Sequence, residues 1–238
     1  MNETLNIKQS DGSPAEKWSD MAKEAAKNSP EQKELLEQVE IRELSPEDDL
    51  GRAGELVFQV DPYICPDFFG DQERAKEIGK VLFDDNGGLF DRKHTLVAVV
   101  NGELKGILIF SDNKITPWNC EETKKRIEAI GIEMPEHFDR ANEQYMKVVT
   151  DEAMTMPDGV VEIELCSVDS NTRDLGIGQK LFDKLLERPE YQEQHLTVLA
   201  DNPRAIHVYE KKGFEIVSTQ TGYPDDSVKT HNMIRKAK

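Results

Sequence analysis

Two kinds of hydrophobic rhythm divide the chain from about residue 39 onward. "QVEIREL" alternates apolar and polar positions and predicts a short strand ending near Leu44. In "SPEDDLGRAGELVFQV", Leu50, Ala53, Leu56 and Val57 recur at helical spacing, with Ser45 as the expected N-cap and Pro46 at the first helical position. "DPYICPDFFGDQERAKEIGKVLFDD" predicts a loop carrying aromatics, then a second helix from about Gln72. "HTLVAVVNGELKGILIF" places two apolar runs on either side of Asn101-Gly102, the strongest short hairpin signal.

The strand rhythm breaks over residues 111–158. There "CEETKKRIEAIGI" and "EHFDRANEQYMKVVTDEAM" predict two helices separated by Gly131 and Pro135. Strands resume at "GVVEIELCSV", followed by a helix in "GIGQKLFDKLLER" and a strand in "HLTVLA". A helix in "NPRAIHVYEKKG" and strands "FEIVSTQT" and "THNMIRK" around "GYPDDS" complete the order. The pattern is a mixed α/β (α+β) layer fold, without the repeating βαβ rhythm of a Rossmann sheet. Residues 1–38 form a polar N-terminal extension. Trp18 and Met21 at i and i+3 suit a docked helix, and a mobile extension fits equally. Residues 39–238 form the domain, with 111–158 inserted in it.

Composition narrows the function classes. The 238 residues carry a net charge of −17. An acidic surface repels a phosphate backbone, which argues against general nucleic-acid binding and mildly favours a cationic partner. Cys65, Cys120 and Cys166 lack metal-ligand spacing and read as reduced thiols of a cytoplasmic protein. No basic n-region opens the sequence, and no apolar run is long enough to span a membrane. No metal site is expected.

The candidate chemistry lies in "VEIELCSVDSNTRDLGIGQK". Arg173, Gly176 and Gly178 form R-x-x-G-x-G where a strand runs into a helix. Helical N–H groups at such a start lack internal partners and attract anions. Glycines let a pyrophosphate approach the backbone. The spacing is neither G-x-G-x-x-G nor a P-loop, and alone it also fits a plain glycine turn. Downstream, "DNPRAIHVYEKKGF" supplies N-x-x-A-x-x-x-Y-x-x-x-G-F through Asn202, Ala205, Tyr209, Gly213 and Phe214.

With both motifs in this order, residues 39–237, apart from the insertion, resemble the GNAT superfamily of acyl-CoA-dependent N-acyltransferases. The resemblance implies a central, mostly antiparallel twisted sheet with strands four and five splayed apart. It implies acetyl-CoA as cosubstrate, with pantetheine along Cys166, Ser167 and Val168. The pyrophosphate would lie on the backbone of Arg173, Asp174, Leu175, Gly176, Ile177, Gly178 and Gln179. Asn202 would contact the pantetheine or line the cleft, Ala205 and Tyr209 would belong to the same cofactor-binding set, and the Tyr209 hydroxyl would protonate the departing thiolate. Some histone-acetylating members carry a glutamate where Glu162 stands.

Glu162 and Glu164, at period two, are expected to face the side of Cys166 and Val168. Either is a candidate base, and both could instead be solvated carboxylates. A covalent acyl-Cys166 would need a paired base, and none is evident. His195 and His207 read as packing or surface residues. The insertion is expected to cover the acceptor side of the cleft, with Tyr63, Phe68 and Phe69 as another wall; a homodimer surface is the alternative. The expected acceptor is a small-molecule or protein amine. A non-catalytic acyl-CoA sensor is the second functional reading.

Overall fold

The computed structural model describes residues 34, 36–83, 88–113, 120–143, 156–172, 175–225 and 227–236. The readings placed on Trp18, Met21, Arg173, Asp174 and residues 144–155 lie outside these. Residues before Val39 form a separate unit, in which Glu34, Leu36 and Glu37 are helical.

From Val39 onward the order is β1 (Glu40–Glu43), α1 (Leu50–Phe58), α2 (Ile64–Phe69), α3 (Gln72–Leu82), a 3-10 turn (Arg92–His94), β2 (Thr95–Val100) and β3 (Glu103–Ser111). Then come α4 (Cys120–Ala129), β4 (Val160–Val168), a 3-10 turn (Ser170–Thr172), α5 (Ile177–Leu186), β5 (Glu193–Leu199), α6 (Pro203–Lys211), β6 (Glu215–Thr221) and β7 (Lys229–Lys236). The seven strands form one sheet in the order β1-β2-β3-β4-β5-β7-β6. Every neighbouring pair is antiparallel except β4 and β5.

Local chemistry sets several boundaries differently from expectation. Helix α1 starts at Leu50, and its cap is Asp49, which accepts from the Arg52 amide, rather than Ser45. The preceding Asp48 is committed elsewhere: it accepts from both terminal nitrogens of Arg42 at 2.7 Å and from the Ser45 amide at 2.8 Å. That pins the segment to β1, so the helix begins after it. The aromatic loop contains a helix, α2, that the two prolines concealed. Asp61 accepts from the Tyr63 and Ile64 amides and starts it. The hairpin turn is as read, with Asn101 and Gly102 both at positive φ (52° and 81°), as a type I′ turn requires.

Both faces of the sheet are covered, which is why all six residues of β2 are buried. On one face α1, α2 and α3 pack Leu56, Val57, Phe69 and Ile78 onto Val97, Val99, Ile107 and Ile109. Helices α1 and α3 cross at Gly54 and Gly79. A methyl at Gly54 would sit 2.2 Å from the Ala75 carbonyl oxygen, and one at Gly79 2.5 Å from that of Leu50. On the other face α5 lays Ile177 and Leu181 over Gly106 of β3, while Phe182 packs at a tilt against Tyr209 and edge-to-face against Phe214.

Candidate active site

The site begins where β4 and β5 part. Their parallel pairing runs from Val160↔Glu193 to Ile163↔Leu196 and ends there. Beyond it, Glu164, Leu165 and Cys166 form one wall of a cavity, and Leu196–Leu199 form the other. The cavity measures about 320 Å³, within the range of small-molecule sites.

A bulge at Glu164 decides what faces this gap. Across β3, Ile109 pairs with Leu165, but Phe110 pairs with Ile163, so Glu164 is the extra residue. A one-residue bulge breaks the alternation of side chains. Leu165 packs into the apolar cluster under α1 and α3. Val168 instead meets Gly178 of α5, and Cys166, two residues before it, shares that face. Glu162 pairs with Ser111, and the Ser111 hydroxyl donates to Glu164 Oε1 at 2.5 Å. The expectation that the two glutamates face the side of Cys166 and Val168 is therefore corrected. The bulge turns both carboxylates to the α1–α3 face, and Cys166 and Val168 lie on the α5 face.

Helix α6 supplies the opposite wall. Pro203 occupies its first turn, and Asn202 caps it by accepting from the Ala205 amide at 3.1 Å. Ala205 and Tyr209 are four apart and share one helix face, and both line the cavity. Burial, with a smaller effect from nearby Cys166, pushes the Tyr209 hydroxyl well above the ordinary phenol range. It makes no hydrogen bond to another described residue. Burial pushes the Cys166 thiol up to about 12, so it remains a neutral thiol near neutral pH and a poor nucleophile.

At the start of α5, Gly176 is the N-cap at φ 80°, a conformation that calls for glycine. Gly178 is different. Its φ is ordinary, and an added Cβ would meet only Val168, at 3.4 Å. Neither backbone nor packing demands a glycine there, although one in a helix costs about 1 kcal/mol against alanine. The helix start thus carries a glycine where the fold itself would accept a methyl. The side chains of Ile177 and Ser167 are buried in the protein, so only their backbone is available to a ligand. Leu175 is half-buried and Gln179 exposed.

Two features had no sequence signal. His195 Nδ1 lies 3.9 Å from Glu162 Oε2, and its Nε2 is 2.7 Å from Glu193 Oε1. The ring thus stands between a cleft carboxylate and the half-buried Glu193 on its own strand. Only register, Glu162↔His195, brings the pair together. At the foot of the α5 loop, Asp169 accepts from Arg52 at 2.5 Å and lies 3.8 Å from Lys105, which anchors the loop to α1 and β3.

The end of the cleft lined by Tyr223 is built from three segments. Tyr223, between β6 and β7, donates to Asp67 of α2. Arg140 of the insertion lies 3.1 Å from Asp67 and over the Tyr223 ring. Beside this, α4 and Phe138 close a second cavity of about 70 Å³. Its lining is apolar apart from Thr123, and it shares Ile64, Cys65 and Leu165 with the main cleft. An apolar void of that size costs on the order of 2 kcal/mol when nothing fills it.

The profile of the acetyltransferase (GNAT) family matches residues 61–214. Among solved structures, an N-acetyltransferase from Staphylococcus aureus Mu50 superposes with TM-score 0.56 at 20% identity, covering 82% of this chain and 99% of that one. A second acetyltransferase gives TM-score 0.51 at 24% identity, covering 84% of this chain and 100% of the other. At these identities the likeness is one of fold. No curated protein matches the chain.

Proposed function

Because the chain belongs to the acetyltransferase (GNAT) family, whose members transfer acyl groups from acyl-CoA, we propose that it acetylates a primary amine by direct attack, both substrates being bound at once. The observation that carries this reading is the arrangement across the β4–β5 gap. Tyr209 stands on the α5–α6 side, and Glu162 and Glu164 stand on the α1–α3 side of the same cavity. Donor and acceptor then enter from opposite faces of the sheet and meet at the bulge.

The residues present suit acyl-CoA. The helix start at Gly176–Gly178 presents backbone amides of the kind that bind a pyrophosphate, and no side chain at Gly178 covers them. The cavity between β4 and β5 reaches Cys166, the first of the β4 residues expected to pair with pantetheine. Tyr209 holds its proton through the neutral range, so it donates to the leaving sulfur. A β4 glutamate takes the proton of the attacking amine, directly or through water. With lysine and arginine absent from the described lining of the cleft, its carboxylates favour a cationic acceptor over an anionic one.

The test is release of free CoA thiol when acetyl-CoA meets a panel of primary amines. Thiol release that depends on the amine and falls about 10²-fold or more in Tyr209→Phe supports acid catalysis. Acetyl-CoA binding without thiol release across the panel would instead favour the sensor reading.

A further inference from the structure

We propose that the small cavity beneath α4 is a specificity subsite that takes an apolar alkyl or aryl group carried by the acceptor amine. The inference rests on the acetyl-transfer reading above and adds the class of acceptor.

Three observations carry it. First, the small cavity and the cleft have a common partition, Ile64, Cys65 and Leu165, so a group entering one from the other crosses no polar wall. Second, the cavity lies on the acceptor face. Leu165 immediately follows Glu164 at the bulge and points into the α1–α3 cluster, whereas Tyr209 and the start of α5 lie across the sheet. A longer acyl chain, held from the α5 side, would have to pass the bulge to reach it. Third, the Thr123 hydroxyl is the one polar side-chain group in the lining besides the Cys65 thiol, fewer partners than a buried water needs. The Cys65 thiol already bonds the Val57 carbonyl oxygen, and the other walls are aliphatic or aromatic apart from Thr123. A cavity that cannot satisfy water favours an apolar guest.

Charge and apolar shape then divide the labour. The carboxylates at Glu162, Glu164 and Asp61 receive the amine end, and the subsite receives the substituent. Thr123, Ile127 and Phe138, all from the insertion, form its roof, so the inserted segment sets the size of the group accepted.

The experiment compares kcat/KM for methylamine, propylamine, isopentylamine and phenethylamine with acetyl-CoA, and then for methylamine with acetyl-, butyryl- and hexanoyl-CoA. Burying each methylene predicts roughly a fourfold rise per carbon along the amine series until the cavity is full. Thr123→Leu, which narrows the roof, flattens that rise. Phe138→Ala moves the optimum to bulkier amines, and serves if the first variant folds poorly. Calorimetry of the same amines into CoA-saturated protein reads the subsite apart from turnover. Tighter binding of longer amines without thiol release would refute acetyl transfer and still support the subsite. A flat amine series in both rate and binding overturns the proposal. So does a preference that follows acyl length and disappears in Thr123→Leu.

Discussion

The Ser111 hydroxyl holds Glu164 Oε1 at 2.5 Å across the β3–β4 ladder. Its partner Glu162 instead looks toward His195, 3.9 Å away. The two carboxylates of β4 therefore have different surroundings. Glu162 has an imidazole leading toward Glu193, along which a proton could leave, whereas one oxygen of Glu164 is occupied by a fixed donor. We expect Glu162→Gln to lower kcat by about 10²-fold or more and to flatten the acidic limb of its pH profile. Glu164→Gln should act mainly on the KM for the amine. An unchanged acidic limb in Glu162→Gln removes that residue as the base.

Tyr209→Phe keeps the ring contacts with Phe182 and Phe214 and deletes only the hydroxyl. We predict a fall in kcat of about 10²–10⁴-fold, with little change in acetyl-CoA affinity or thermal stability. Burial raises the folded phenol above its usual value of 10.0. The wild-type rate should therefore show no alkaline limb from this group below about pH 10. A limb near neutrality that Tyr209→Phe abolishes would contradict the assignment.

Gly178→Ala separates stability from binding. The folded chain leaves space for the methyl, and alanine is the better helix former, by up to about 1 kcal/mol. Tm should rise by roughly 2–4 °C, while the KM for acetyl-CoA increases about tenfold or more. A variant that is more stable and binds acetyl-CoA normally would show that no ligand approaches this backbone.

Alkaline pH should loosen the fold through its buried thiols. Burial pushes Cys65 from 9.0 up to about 12. Between these values the unfolded chain has released the proton and the folded chain retains it, so stability falls as pH rises through this window. Below pH 9 the contribution is constant. The loss for such a group is at most about 1.4 kcal/mol per pH unit. Denaturant melts from pH 8 to 11 should show a shallower decline in Cys65→Val than in the wild type.

Much of this site is legible in sequence because its motifs are local. R-x-x-G-x-G and the Asn202–Phe214 pattern each lie within one connection or one helix, where spacing alone fixes relative position. The Asn101–Gly102 turn is legible for the same reason. What was not legible depends on register. The bulge at Glu164 leaves no mark in "VEIEL", yet it sends the glutamates and Cys166 to opposite faces of the sheet. The Ser111–Glu164 and Glu162–His195 approaches join residues from different strands. The cap of α1 fell to Asp49 because Arg42, from another element, had engaged Asp48. Helix α2 was hidden by prolines whose effect Asp61 overrides locally.

The Gly54–Gly79 crossing bears on how this enzyme could change its preferences. Backbone rests on backbone there, so no side chain can be trimmed or enlarged to slide α1 along α3. That part of the wall of the proposed acceptor site is a fixed anvil across generations of mutation. The roof at Thr123, Ile127 and Phe138 has no such constraint, since each contact is made by a replaceable side chain. Drift in substrate range should therefore accumulate in the inserted segment, and a library confined to those three positions should yield more new acceptors than one of equal size spread over α1 and α3.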